Sequence, residues 1–207
     1  MTAPDRYPIP ARQIRTEIEV RRSRFVATIS HAPSEAEARA FVARVKAEFP
    51  DASHNCWAFA VGPPGDTGHT GMSDDGEPHG TAGRPMLTAL LHGGVGDIGA
   101  VVTRYFGGVK LGKGGMARAY TEAVLKALAE LPLAERREWA RLGVSLDYGH
   151  VAGFERMLPS FEAKILSSDF ACKVAYRVEL PRERVPAFTR EVADLTGGKA
   201  ALSDQDE

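Results

Sequence analysis

Asp97-Ile98-Gly99-Ala100-Val101-Val102-Thr103-Arg104-Tyr105-Phe106 runs directly into Gly107-Gly108-Val109-Lys110-Leu111-Gly112-Lys113-Gly114-Gly115, and then into Met116-Ala117-Arg118-Ala119-Tyr120. The first piece has a continuous apolar centre (Ile98, Ala100, Val101, Val102), which predicts a strand covered on both faces. From Met116 to Leu131, the residues Met116, Tyr120, Val124, Leu128 and Leu131 recur at helical spacing. A buried strand, a glycine-rich loop and a helix in sequence point to a layered α/β arrangement.

Upstream, Ile14 to Val20 and Phe25 to Ile29 read as short strands joined by the basic turn Arg21-Arg22-Ser23-Arg24. Ser34-Glu35-Ala36-Glu37 is a capping box, and the helix it opens shows Phe41, Val42, Val45 and Phe49 before Pro50 stops it. His54 to Val61 reads as a strand. Residues 62–83 are too rich in Gly, Pro, Asp and Thr for regular structure, and a connection of that length is functional or mobile. Pro85 suits the first turn of a short helix, Met86 to Leu91.

Downstream, Leu131-Pro132-Leu133 and the charged run Glu135-Arg136-Arg137-Glu138 mark a boundary near residues 132–137. It divides the chain into domains 1–134 and 135–207. In the second, Leu142, Val144 and Leu146 alternate, and Val151, Phe154, Leu158 and Phe161 make a helix face. Phe170, Cys172, Val174, Tyr176, Val178 and Leu180 alternate without a break, as in a one-sided strand of an antiparallel sheet. Val185, Phe188, Val192 and Leu195 form a last helix face, closed by Gly197-Gly198. The order β-α-β-β-α, with a final strand, matches a ferredoxin-like sandwich, and the whole chain reads as α+β.

Composition narrows the function classes. The 207 residues hold 26 Lys plus Arg and 27 Asp plus Glu, a net charge of −1, so bulk charge does not draw this chain to nucleic acid. Two cysteines, Cys56 and Cys172, exclude a multi-cysteine zinc site and suit a reducing cytosol. No apolar run approaches the ~20 residues of a membrane span, and the polar N-terminal stretch lacks a signal-peptide core. A cytoplasmic protein without a membrane partner is expected. Sixteen of the 21 glycines lie between Gly62 and Gly115, which marks that stretch for close backbone approach or ligand binding.

Four motifs in and beside that stretch can carry chemistry. Between Arg104 and Arg118 lie four cations and no anion: Arg104, Lys110, Lys113 and Arg118. Gly107, Gly108 and Gly112 free the backbone amides, and the following helix start adds partial positive charge, so this is a candidate phosphate seat. Gly107 to Lys113 also fits G-x-x-x-x-G-K, but Gly114 replaces the magnesium-binding hydroxyl, so the Walker match is accidental. The alternative is a tight turn with solvated lysines. Asp74, Asp75 and Glu77, followed by Thr81, form an acidic loop that could bind a cation or supply an acid/base pair. Its alternative is a solvated loop whose carboxylates make Asx-turns and cap the next helix. An acidic and a basic loop in one small domain are expected to face each other. His54 and Cys56 share a strand face ~7 Å apart, too far for a Cys–His nucleophile, with Cys56 read as a small buried hydrophobe and His54 as a secondary contact. Arg104-Tyr105-Phe106 sets rings for base stacking next to a phosphate-binding cation, with at most one ring on the side of Arg104; the alternative is that Tyr105 or Phe106 closes the core at the strand end.

These residues resemble the signature of the YigZ/IMPACT family. Asp74-Asp75-Gly76-Glu77-Pro78, Gly80-Thr81-Ala82-Gly83, Pro85, Thr103-Arg104-Tyr105-Phe106-Gly107-Gly108, Leu111-Gly112, Gly115 and Arg118-Ala119-Tyr120 carry it, with Ser23-Arg24-Phe25 and His54-Asn55-Cys56 upstream. His79, Arg84 and Lys113 stand where the family pattern has Ser, Lys and a small residue. The resemblance, to a bacterial two-domain member, implies a ribosomal protein S5 domain 2-like fold followed by a ferredoxin-like domain, both similar to domains of elongation factor G. It further implies a non-enzymatic factor of translation or its regulation, with RNA, the ribosome or a translation-related protein as partner. No catalytic residue, metal site or cofactor is expected on that reading. The rival is a hydrolase or transferase acting on a phosphorylated or nucleotide-like small molecule, for which magnesium would be a cofactor. A pure protein-interaction module is the third reading.

Overall fold

The computed structural model describes residues 6–205, which form two compact units, one up to Arg136 and one from Arg137 onward. The elements of the first unit are β1 (Arg6–Pro10), β2 (Ile14–Val20), β3 (Ser23–His31), α1 (Glu35–Glu48), β4 (His54–Val61), β5 (His69–Ser73), α2 (Gly83–His92), β6 (Ile98–Tyr105), α3 (Gly112–Glu130) and β7 (Leu133–Arg137), which runs to the boundary. The second unit holds β8 (Trp139–Leu146), α4 (Val151–Met157), β9 (Lys164–Phe170), β10 (Val174–Pro181), α5 (Val185–Thr196) and β11 (Ala201–Asp204).

A five-stranded sheet in the order β2-β3-β6-β4-β5 organises the first unit, with antiparallel neighbours. β6 is its centre, and its apolar run is buried on both faces as the sequence requires. One face carries α2 and α3 over Phe25, Ile29, Met86, Leu90, Ile98, Val102 and Tyr120. The other carries α1, whose Phe41, Val42 and Val45 close on Val101. Ser34 caps α1 by accepting the Glu37 amide at 3.2 Å. The register pairs Arg104 with His54 on one side and with Phe25 on the other, which puts the end of β6 at the centre of the candidate site.

Three expectations need correction. Residues 62–83 are not wholly irregular: β5 pairs with β4, and its Gly71 lies against the Phe59 ring, where a Cβ would collide. α3 starts at Gly112, four residues early: its first turn, Gly112-Lys113-Gly114-Gly115, carries no apolar residue that could mark it by periodicity, and Gly112 enters it at φ +71. The charged run before residue 138, at the expected boundary, forms the strand β7, paired with β1. Buried Asp97 explains that end of the sheet: it accepts from the Tyr7 hydroxyl at 2.9 Å and the Gly62 amide at 2.8 Å, and pairs with Arg136 at 3.3 Å. Finally, the alternation from Phe170 to Leu180 is broken by a turn at residues 171–173, so Phe170 ends β9 and Val174 begins β10.

The second unit is a four-stranded antiparallel sheet in the order β11-β8-β10-β9. Leu142, Val144, Leu146, Val174, Tyr176, Val178 and Leu180 turn to one face and pack with Phe154, Phe188 and Val192 from α4 and α5. The chain is thus mixed α and β, with a separate core in each unit.

Candidate functional site

The three neighbouring carboxylates of the acidic loop have three different tasks. Asp75 at φ 45 and Gly76 at φ 89 turn the chain sharply against His54, whose Nδ1 lies 2.8 Å from the Asp75 carbonyl oxygen. Asp74 then points back and accepts from the amides of Gly80 (2.7 Å), Gly83 (2.8 Å) and Ala82 (3.0 Å), so it satisfies the otherwise orphaned donors where α2 begins. Asp75 points the other way, to Lys46 Nζ of α1 at 2.5 Å and the Asn55 amide of β4 at 2.7 Å. Glu77 enters the core, 8% exposed, and accepts from Arg104 Nη1 at 2.5 Å and the Tyr120 hydroxyl at 2.9 Å. Thr81 is buried and donates to the Pro78 carbonyl at 2.6 Å, which locks the loop on itself.

The ionisation of this cluster follows. Burial works to raise the pKa of Asp74, but the amides of Gly80, Gly83 and Ala82 outweigh it and hold the carboxyl below its ordinary value. Burial likewise opposes Asp75, and Lys46 with the Asn55 amide again prevails. Cys56 lies behind the loop, its Sγ 2.9 Å from the Asp74 carbonyl oxygen and 3.3 Å from the Tyr120 hydroxyl. Burial pushes its thiol up to about 12, so it stays protonated and is no nucleophile. His54 Nε2 is 3.9 Å from Glu77 Oε2.

The acidic and basic motifs do meet, but through one buried ion pair. Arg104, 5% exposed, turns its guanidinium inward to Glu77, with the rings of Phe25 and Phe106 at 5.5 and 5.6 Å. Its charge is therefore spent within the fold instead of facing a phosphate. Tyr105 donates to Asp51 at 3.0 Å and lies beneath Arg24 at 5.4 Å; burial and the Asp51 carboxylate raise its hydroxyl pKa. The remaining cations face solvent. Lys110 and Lys113 are exposed and, among the described residues, have no ion-pair partner, while Arg118 Nε donates to the Gly114 carbonyl at 3.3 Å. Gly107 packs directly on the backbone of Arg22, so that a Cβ would overlap the Arg22 carbonyl. The amides of Phe106 and Gly107 are held by Ser53 Oγ at 3.2 Å and Ser23 Oγ at 3.1 Å. Gly108, at φ +84, and Gly112 have open space beside them.

Sequence reasoning missed Arg21 and Arg22. Both are exposed in the left-handed region, at φ 48 and 65, on the turn that Gly107 touches. The run Arg21-Arg22-Ser23-Arg24 signalled charge, but no spacing rule brought residue 22 to residue 107. Lys46, the partner of Asp75, was missed for the same reason. No group of three His, Cys, Asp or Glu side chains among the described residues is placed to hold a metal ion.

Comparison with known proteins supplies the relatives. The Impact N-terminal domain pattern matches residues 21–128, and a domain of unknown function, DUF1949, matches residues 144–199. The chain is 41% identical to the IMPACT family member YigZ of Escherichia coli strain K12, over 94% of this chain and 95% of that one. It is 34% identical to the IMPACT family member YvyE of Bacillus subtilis strain 168, over 91% and 86%. A crystal structure of a hypothetical protein, 39% identical, superposes with a TM-score of 0.67 and covers 98% of both chains.

Proposed function

The chain belongs to the IMPACT family, and on that premise we propose that it is a non-enzymatic cytoplasmic factor of translation or its regulation that binds RNA, as the ribosome presents it. The first unit is taken as S5 domain 2-like. The second is taken as ferredoxin-like, which its strand order β11-β8-β10-β9 with two helices on one face supports.

One observation carries the reading. Asp74, Asp75 and Glu77 are all committed to donors of the protein itself. They do not neutralise the basic rim of Arg21, Arg22, Lys110 and Lys113, where Phe106 is 50% exposed and Val109 39% exposed. Exposed cations beside an exposed ring suit a phosphate backbone with an unstacked base. The rival enzyme would need Asp74, Asp75 or Glu77 to act as a base or magnesium ligand, and thus to leave partners that define the loop.

The test is binding of a fluorescent single-stranded RNA and of purified ribosomes across a salt series. The parent should lose affinity as salt rises, because bound cations release counterions. The Arg22→Glu/Lys110→Glu variant should bind about tenfold more weakly, with a slope shallower by about one per lost contact. Equal affinity for both proteins on both probes overturns the proposal.

A further inference from the structure

A different surface of the first unit lies along the outer side of α2 and α3. The buried stripe of α3 is Met116, Ala119, Tyr120, Ala123, Val124 and Ala127. Leu125 falls off this stripe and is 50% exposed. It lies where two adjoining depressions meet, of about 430 and 780 Å³. In the first, Leu125 and Thr121 face Pro85, Thr88 and Ala89 of α2. The second continues along α3 past Ala117.

The charge around this apolar floor is basic on balance, with Glu122 in the lining and Glu17 of β2 near Lys126 as the acidic neighbours. α2 brings Arg84 and His92 and no acidic residue. α3 brings Arg118 and Lys126 against Glu122. Lys126 donates to the Glu17 carbonyl at 3.0 Å, whereas Arg84 and Arg118 make no ion pair among the described residues.

We propose that this groove docks an acidic amphipathic helix of a partner protein. An apolar side chain of that helix packs on Leu125 between Pro85, Ala89 and Ala117, and its carboxylates reach Arg84 and Arg118. α2 spans ~15 Å, enough for two to three turns of a bound helix. Apart from the His92 imidazole at the end of α2, the lining is aliphatic, hydroxyl or charged, and covering the exposed Leu125 asks for an apolar partner side chain, which favours a helix over a nucleic acid as occupant. The groove uses none of the rim residues Arg21, Arg22, Lys110 and Lys113, so it stands or falls apart from RNA binding there.

The probe is a fluorescein-labelled synthetic peptide with leucines at helical spacing among glutamates, followed by anisotropy on the full chain. Leu125→Glu and Arg84→Glu alter exposed side chains, and circular dichroism checks that both variants keep the parent fold. Each variant should weaken binding about tenfold, with Lys110→Glu unchanged. No binding by the parent overturns the proposal, as does binding that both groove variants leave intact. Equal binding of a peptide with lysines in place of the glutamates also overturns it. So does an RNA oligonucleotide whose affinity falls in Leu125→Glu, which would give the groove to nucleic acid.

Discussion

Three carboxylates within four residues would repel one another in an open loop, yet here each is drawn to a different element. Asp74 holds the start of α2, Asp75 joins α1 to β4, and Glu77 neutralises Arg104 in the core. Asp74 and Asp75 have folded pKa values below their ordinary ones. Their stabilisation is therefore full above the unfolded value of about 4 and is lost as pH falls through it toward the depressed folded values. Urea unfolding between pH 7 and pH 3 should show this acid loss in the parent and a flatter profile in Asp74→Asn/Asp75→Asn. Asp74→Asn alone should cost about 1–3 kcal/mol at neutral pH, since three amides lose a charged acceptor. The buried thiol gives a second expectation. Cys172 is exposed and Cys56 is buried and protonated, so a thiol reagent should label only Cys172 in the folded protein, with Cys56 reacting after denaturation. Two equally fast labels would contradict this placement of Cys56.

At the scale of elements, the glycines separate into those that shape a turn and those that permit contact. Gly76 turns the acidic loop against His54, and Gly107 lets the end of β6 lie on the β2–β3 turn. Gly107→Ala forces the Arg22 backbone away and should destabilise the protein by about 1–3 kcal/mol. Amide exchange should rise at residues 20–24 and 105–109 and stay low in the centre of β6; an unchanged exchange pattern would mean that the close contact is dispensable. The same contact sets Arg22 against the loop that continues to Lys110, two segments distant along the chain. Charge at Arg21 and Arg22 was visible in the sequence, but its partner loop was not, because proximity of residues 22 and 107 depends on the β3–β6 register. β5 and β7 escaped sequence reading for a related reason. Edge strands of five residues have little periodicity of their own and form by pairing with a neighbour already in place.

The whole chain carries a net charge of −1, and each unit packs its own interior, with Tyr120 and Phe25 in the first and Phe154 and Phe188 in the second. Phe188→Ala should therefore destabilise the second unit by about 3–5 kcal/mol. Exchange protection should fall in β10 while β6 keeps its own, and equal loss in both would show that the two units unfold as one. The sequence by itself determined the elements whose pattern is local: buried β6, the capped α1, the stripe of α3, the alternation of β8 and the glycine-ended α5. It also determined the family, because glycines, a cation and carboxylates at fixed spacing form a pattern that needs no fold to be seen. Only the tertiary structure decided which charges face water. Arg104 and Lys110 look equivalent along the chain, but strand pairing brings Glu77 and Tyr120 to Arg104 and leaves Lys110 in solvent. A buried charge must be paired inside a low-dielectric interior, whereas an exposed one is already stabilised by water.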